Sequence, residues 1–148
     1  MIAYATINDI NEIDVLFGKE STFANLHYKY DCETIEMLKR NFLRPDSHYT
    51  IAKENDQFAA FCATDSDWWE PRYFFLREIF VMPAYQGQKI GEVLIKESIN
   101  HGKKNEALGI VTETAFENVP MQKLCEKLGF RKWVNPQWIE GITYKLHF

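Results

Sequence analysis

Cysteine is scarce in this sequence and widely spaced. Cys32, Cys62 and Cys125 are the only three, odd in number, with no CxxC pair. That excludes a disulfide framework and the common zinc clasps, and it is the pattern of reduced thiols in a cytoplasmic protein. His27, His48, His101 and His147 stand isolated, without metal-ligand spacing, so no metal site is expected. Long apolar runs are missing too: none approaches the about 18 residues that a bilayer span requires. The opening Met1-Ile-Ala-Tyr-Ala-Thr-Ile has neither the basic start nor the long apolar stretch of a signal peptide, and none is expected. Basic residues are in deficit, 17 Lys and Arg against 21 Asp and Glu, which argues against a nucleic-acid-binding face. There is no internal repeat, low-complexity tract or linker. The two commonest phosphate motifs, GxxxxGK(S/T) and GxGxxG, are both absent.

What is present is a chain able to build a core. Hydrophobic residues make up 46% and aromatics 15% of 148 residues, which fits one domain over 1–148 without metal or disulfide support. Residues 2–7 read as a strand, and Asn8 or Asp9 caps a helix with Ile10, Ile13 and Phe17 on one face. Residues 18–30 show no clear period and read as loop or irregular helix. Asp31 caps a second helix carrying Ile35, Leu38 and Phe42, stopped by Leu43-Arg44-Pro45. Tyr49–Glu54 and Phe58–Thr64 form a hairpin about Asn55-Asp56-Gln57. After a loop over Asp65–Arg72, Tyr73–Met82 is a long strand. A helix over Lys89–Lys103, a strand over Leu108–Ala115 and a helix capped by Asn118 follow. Met121, Leu124, Cys125 and Leu128 form the apolar face of this last helix, and Gly129 ends it. Phe130–Val134 and Ile142–Phe148 are the last strands.

The order β-α-α-β-β-β-α-β-α-β-β mixes hairpins with a strand-helix-strand crossover. It predicts an α/β (α+β) fold: a mixed, mostly antiparallel sheet of about seven strands with helices on both faces. At its centre lies the most informative stretch, Val81 to Gly91. An apolar strand ends at Pro83, and a short turn then carries Gln86, Gly87, Gln88, Lys89, Ile90 and Gly91 into a helix. Such a turn gathers backbone N–H groups at a helix N-terminus, where the dipole favours an anion such as phosphate.

These residues resemble the GNAT superfamily of N-acetyltransferases. The family's phosphate loop, Arg/Gln-x-x-Gly-x-Gly/Ala after a strand ending Val-x-Pro, is matched at Gln86 and Gly91. Its second block, an Asn followed by Leu-Tyr-x-Lys-x-Gly-Phe, is matched at Asn118, Leu124, Lys127, Gly129 and Phe130. Two departures stand out. Lys89 occupies the place of the usual middle glycine, and Cys125 that of the Tyr that donates a proton to departing coenzyme A.

The resemblance implies a GNAT-like fold and transfer of an acetyl group from acetyl-coenzyme A, as co-substrate and without a metal, to a primary amine. Ile79, Phe80 and Val81 would pair with the pantetheine arm, Gln86 to Gly91 would hold the pyrophosphate, and Asn118 would lie near the arm or act as a plain cap. An N–H near Phe80 or Val81 would face the thioester oxygen. A primary amine of pKa ~10 is only about 0.1% neutral at pH 7, a deficit of ~4 kcal/mol, so a base is needed. Glu78 is the candidate, placed by strand alternation on the face opposite Arg77, with Glu70 and Glu113 in reserve. Cys125 is read either as an acid or as core packing. Trp68, Trp69, Tyr73, Trp133 and Trp138, with Asp65, Asp67 and Glu70, would suit a small cationic amine. The alternatives are a non-catalytic acyl-coenzyme A sensor and a protein or peptide N-acetyltransferase. No nucleic-acid or membrane partner is expected, and the C-terminal strands are the expected contact of a homodimer.

Overall fold

The computed structural model describes residues 1–17 and 32–148. The readings of 18–30 as irregular and of Asp31 as a cap lie outside the described residues. Strand β1 is Ile2–Thr6 and helix α1 is Glu12–Phe17. The helix starts by reciprocal capping: the amides of Asn8 and Asp9 donate to the Glu12 carboxylate at 2.9 and 3.0 Å, and Asp9 accepts from the Asn11 amide at 2.8 Å. Helix α2 is Cys32–Phe42. Strands β2, His48–Glu54, and β3, Gln57–Asp65, join through a turn of two residues rather than three. Asn55 and Asp56 both take positive φ, 50° and 66°, the left-handed pair whose twist suits a tight hairpin, which frees Gln57 to begin the strand.

Strand β4 is Tyr73–Val81, followed by one 3₁₀ turn at Pro83–Tyr85 and helix α3, Ile90–Lys104. Strand β5 is Gly109–Ala115, helix α4 Val119–Lys127, strand β6 Arg131–Trp133 and strand β7 Gly141–His147. The seven strands form one sheet in the order β1-β2-β3-β4-β5-β7-β6. Every neighbouring pair is antiparallel except β4 and β5, which the α3 crossover makes parallel. This is the mixed sheet expected from the element order.

Each face has its own core. Ile13, Leu16 and Phe17 of α1 and Ile35 and Leu38 of α2 pack on Tyr49, Ile51 and Phe61. The Tyr49 hydroxyl donates to the Leu38 carbonyl at 2.7 Å, so this large side chain is buried with its polar end satisfied. On the other face Ile90, Leu94 and Ile95 of α3 and Cys125 of α4 pack on Cys62, Leu76, Ile110 and Tyr144. A fully buried Leu such as Leu94 contributes about 1.5–3 kcal/mol, which fixes the rotation of α3 and so the direction in which its N-terminus points.

Two irregularities shape the centre of the sheet. The β3–β4 register runs Ala63↔Glu78 and then Thr64↔Leu76, which leaves Arg77 as an extra, bulged residue. Pairing between β4 and β5 runs from Tyr73↔Gly109 to Leu76↔Thr112 and ends there. Beyond it β4 stays with β3 as far as Val81↔Ala60, while β5 stays with β7 as far as Ala115↔Gly141. The sheet therefore divides at the bulge, and a gap opens between its two halves.

Candidate active site

The gap is the floor of a continuous groove. A cavity of about 190 Å³ is lined by Leu76, Arg77, Glu78 and Ile79 on one side and by Thr112 to Ala115 on the other. It shares Ile79, Asn118 and Met121 with a larger cleft of about 470 Å³ between the α3 N-terminus and α4. Val81, Gln86, Gly87, Lys89, Ile90 and Gly91 line that cleft. Most of the residues expected at a coenzyme site are thus brought together. Phe80 is not among them: it packs on the opposite face, against the α1–α2 core. Gln88 is exposed and stands outside the cleft lining.

The turn is built to present amides. Gly87 has φ +82°, which glycine adopts at no steric cost. Lys89 has φ +64° and caps α3 without a side-chain hydrogen bond, so a lysine stands in a glycine's conformation. The first-turn amides of α3 lack a carbonyl one turn back, as at any helix start, and the residues that carry them, Ile90, Gly91 and Glu92, line the cleft. At Gly91 an added Cβ would touch Leu124 and Val81 at 3.5 and 3.8 Å, so a methyl fits but a larger side chain would fill the cleft. Gln86 is already engaged, its Nε2 donating to the Val81 carbonyl at 3.0 Å. Across the cleft Lys127 bonds Glu92 at 3.0 Å and ties α4 to α3. Lys89 gives the lining a cation suited to an anion, while the charge of Lys127 is met by Glu92, which lines the same cleft. Asn118 caps α4, its Oδ1 accepting from the Met121 amide at 3.3 Å, while it also lines both cavities.

The bulge overturns the expectation for Arg77 and Glu78. Glu78 stands in register with Ala63 and Ala63 with Tyr49, which puts it in the Tyr49 row of the sheet, while the bulged Arg77 turns to Asp65 and Phe75. Arg77 donates to Asp65 from Nε at 2.8 Å and from Nη2 at 3.0 Å, and its guanidinium lies 4.8 Å from the Phe75 ring centre. Burial raises the pKa of Glu78 above the ordinary carboxylate value, and Arg77 opposes this. On the facing strand burial raises Glu113 as well, opposed by Arg77 and reinforced by Glu140. Two carboxylates with raised pKa therefore flank the gap, each better matched to taking a proton near neutrality than an exposed one.

Cys125 lies elsewhere. It is fully buried in the core shared by α3 and α4 and lines neither cavity. Burial pushes its thiol up to about 12.

The three acids expected to receive a cation are already paired, and of the expected rings Trp68, Trp69, Tyr73 and Trp133 pack on other rings or on Lys145. Asp65 holds Arg77, Asp67 pairs with Arg44, and Glu70 pairs with Lys145. Lys145 is 7% exposed, with its ammonium 3.9 Å from the Trp133 ring centre and 5.0 Å from that of Tyr73. Trp69 packs on Trp133 and Trp68 on Phe75, at 5.7 and 4.9 Å between centres. The protein's own lysine occupies the aromatic cage. Sequence reading missed Tyr85, Pro120 and Met121 in the cleft lining, since each is an ordinary apolar residue until the helices are packed. Among the described residues no group of His, Cys, Asp and Glu is arranged to hold a metal, and no helix is long and apolar enough to cross a membrane.

A divided β4–β5 pair beneath a helix N-terminus defines a fold class, and comparison with known proteins places the chain within it. Residues 9–130 match the model of the acetyltransferase (GNAT) family. The chain belongs to that family, and it is an acyltransferase that uses acetyl-coenzyme A. A Bacillus subtilis protein named as a ribosomal protein bS18-alanine N-acetyltransferase is 24% identical over 122 residues, 82% of this chain and 76% of that one. A Bacillus anthracis structure named as a streptothricin acetyltransferase, in complex with acetyl coenzyme A, is 25% identical with a TM-score of 0.62. The match covers 72% of this chain and 66% of that protein, so the chain spans a little under two thirds of its length. The ribosomal-protein-S18-alanine N-acetyltransferase of Escherichia coli has the same fold: TM-score 0.75, 19% identity, 99% of this chain and 94% of that one covered.

Proposed function

We propose that the protein acetylates the α-amine of a peptide or protein N-terminus by direct transfer within a ternary complex. The observation that carries this reading is the internal pairing of Asp65, Asp67 and Glu70, together with the occupation of the aromatic cage by Lys145. A polycation finds little unpaired negative charge there. An α-amine needs less help in any case: with pKa ~8 it is about a tenth neutral at pH 7, a deficit of only ~1.4 kcal/mol against ~4 kcal/mol for an alkylamine. The names of the Bacillus subtilis and Escherichia coli relatives agree with such an acceptor.

The amides of Gly87 to Gly91 would hold the pyrophosphate of acetyl-coenzyme A, and Ile79 and Val81 would run beside its arm. Glu78, directly or through water, accepts the proton as the amine nitrogen bonds to the thioester carbon. The C–S bond then breaks. A thiol of pKa ~8.5 leaves readily as a thiolate and takes its proton from solvent, so Cys125 serves as core. The test is thiol release from acetyl-coenzyme A with N-terminal peptides, polyamines and aminoglycosides. Peptides are expected to give the highest kcat/KM. Polyamines as the best acceptors would restore the small cationic amine, and binding without turnover across the panel would favour a coenzyme sensor.

A further inference from the structure

Thr112 and Thr114 are two apart on β5 and so share a face of that strand. Thr112 sits on the last paired rung between β4 and β5. Its hydroxyl donates to the Leu76 carbonyl at 3.1 Å, across from one strand to the other. Thr114 is the next residue on that face, one step past the point where β4 turns away. It is 5% exposed, lines the gap together with Ile79, Asn118 and Met121, and its Oγ1 has no protein hydrogen-bond partner among the described residues. In an unbroken sheet a β4 carbonyl would stand before it, as Leu76 does before Thr112. Here the β4–β5 pairing ends one rung earlier, at Leu76↔Thr112, and Thr114 lies beyond it.

A buried hydroxyl left without an acceptor is costly, and one that lines a groove is open to satisfaction by a ligand entering it. A chain lying in the gap takes the place of the missing strand, and to serve Thr114 it must carry a carbonyl. We propose that the Thr114 hydroxyl donates to an amide carbonyl of the pantetheine arm and fixes the depth to which the arm enters the gap. This rests on the groove being the coenzyme site. Thr114 is a positioning residue: the bond sets where the thioester stops relative to Glu78 and Glu113.

Calorimetry with coenzyme A and with adenosine 3′,5′-bisphosphate, which lacks the arm, tests the assignment. Thr114→Val removes the hydroxyl at nearly constant volume. Coenzyme A is expected to bind it roughly tenfold more weakly and the nucleotide fragment equally well. Thr114→Ser, which keeps the hydroxyl, should bind coenzyme A within about twofold of the unaltered protein. Thr114→Ala gives the same loss as Val should the latter fold poorly. The free Val variant should melt no lower than the unaltered protein, because an unpartnered hydroxyl has been taken out of a buried place; a purely structural threonine would lower it. Equal coenzyme A affinity for Thr114→Val and the unaltered protein would overturn the proposal and leave the coenzyme site standing. An unaltered protein that takes up no coenzyme A would overturn both.

Discussion

As the proposed base, Glu78 would draw its advantage from its place. Burial raises its pKa, and a base works only while ionised, so activity should fall as pH drops through that raised value. The acid limb of the kcat/KM profile should therefore lie above the ordinary carboxylate range. Glu78→Gln should lower kcat about 10²–10⁴-fold and remove that limb. A limb that stays put in the variant would pass the role to Glu113. Lys89 carries a different cost. Its left-handed backbone is disfavoured by roughly 1–2 kcal/mol, and glycine would relieve this while adding roughly 0.5–1 kcal/mol of unfolded-state entropy. Lys89→Gly should thus raise stability by about 0.5–1 kcal/mol in denaturant unfolding. The same variant should bind coenzyme A more weakly, because the retained strain has placed a cation on the cleft wall.

The element that holds this arrangement is α3. Its N-terminus offers the amides, and its other turns are fastened to the sheet. The rings of His48 on β2 and His101 on α3 stack at 4.3 Å, and His48 bonds Glu97 at 3.1 Å. His101 in turn bonds the Asp46 carbonyl at 2.7 Å. Burial, with lesser help from His101 and Lys104 and against the pull of Glu97, lowers the pKa of His48 below its ordinary 6.5. The folded state thus binds fewer protons than the unfolded one just below pH 6.5, and stability falls as pH falls through the lowered value. Glu78 and Glu113 act with the opposite sign: their raised pKa values add stability at low pH that is lost as pH rises through them. Comparing His48→Gln with the unaltered protein separates the two. Urea unfolding at pH 5 and pH 7.5 should show a smaller acid loss in the variant. An equal loss would place the sensitive group elsewhere.

Over the whole molecule, charge pairing joins parts distant in the chain. Lys145 on β7 reaches Glu70 in the loop before β4, and Arg44, just past α2, reaches Asp67. A reader of the sequence meets Asp65, Asp67, Glu70 and two tryptophans in one short stretch and sees a cation site. Only the fold supplies the cations that already fill it. The element order, by contrast, was legible from apolar period, caps and breakers, because those act within a few residues. The amide-presenting turn was legible for the same reason, although Gln88 of that turn, like Phe80 of β4, fell outside the cleft lining. The Arg77 bulge was not legible. A one-residue register shift leaves no trace in the composition of β4 and arises only when β3 pairs with it. The sequence by itself determined the elements, the amide-presenting turn and the family, each written in contiguous residues. The tertiary structure alone decided that β4 and β5 part after Leu76, that Arg77 is bulged out of register beside Glu78, that Cys125 is core, and that Thr114 lines the gap unpartnered among the described residues. Each of these depends on which strand lies beside which, a property of pairing across the sheet and not of any one segment.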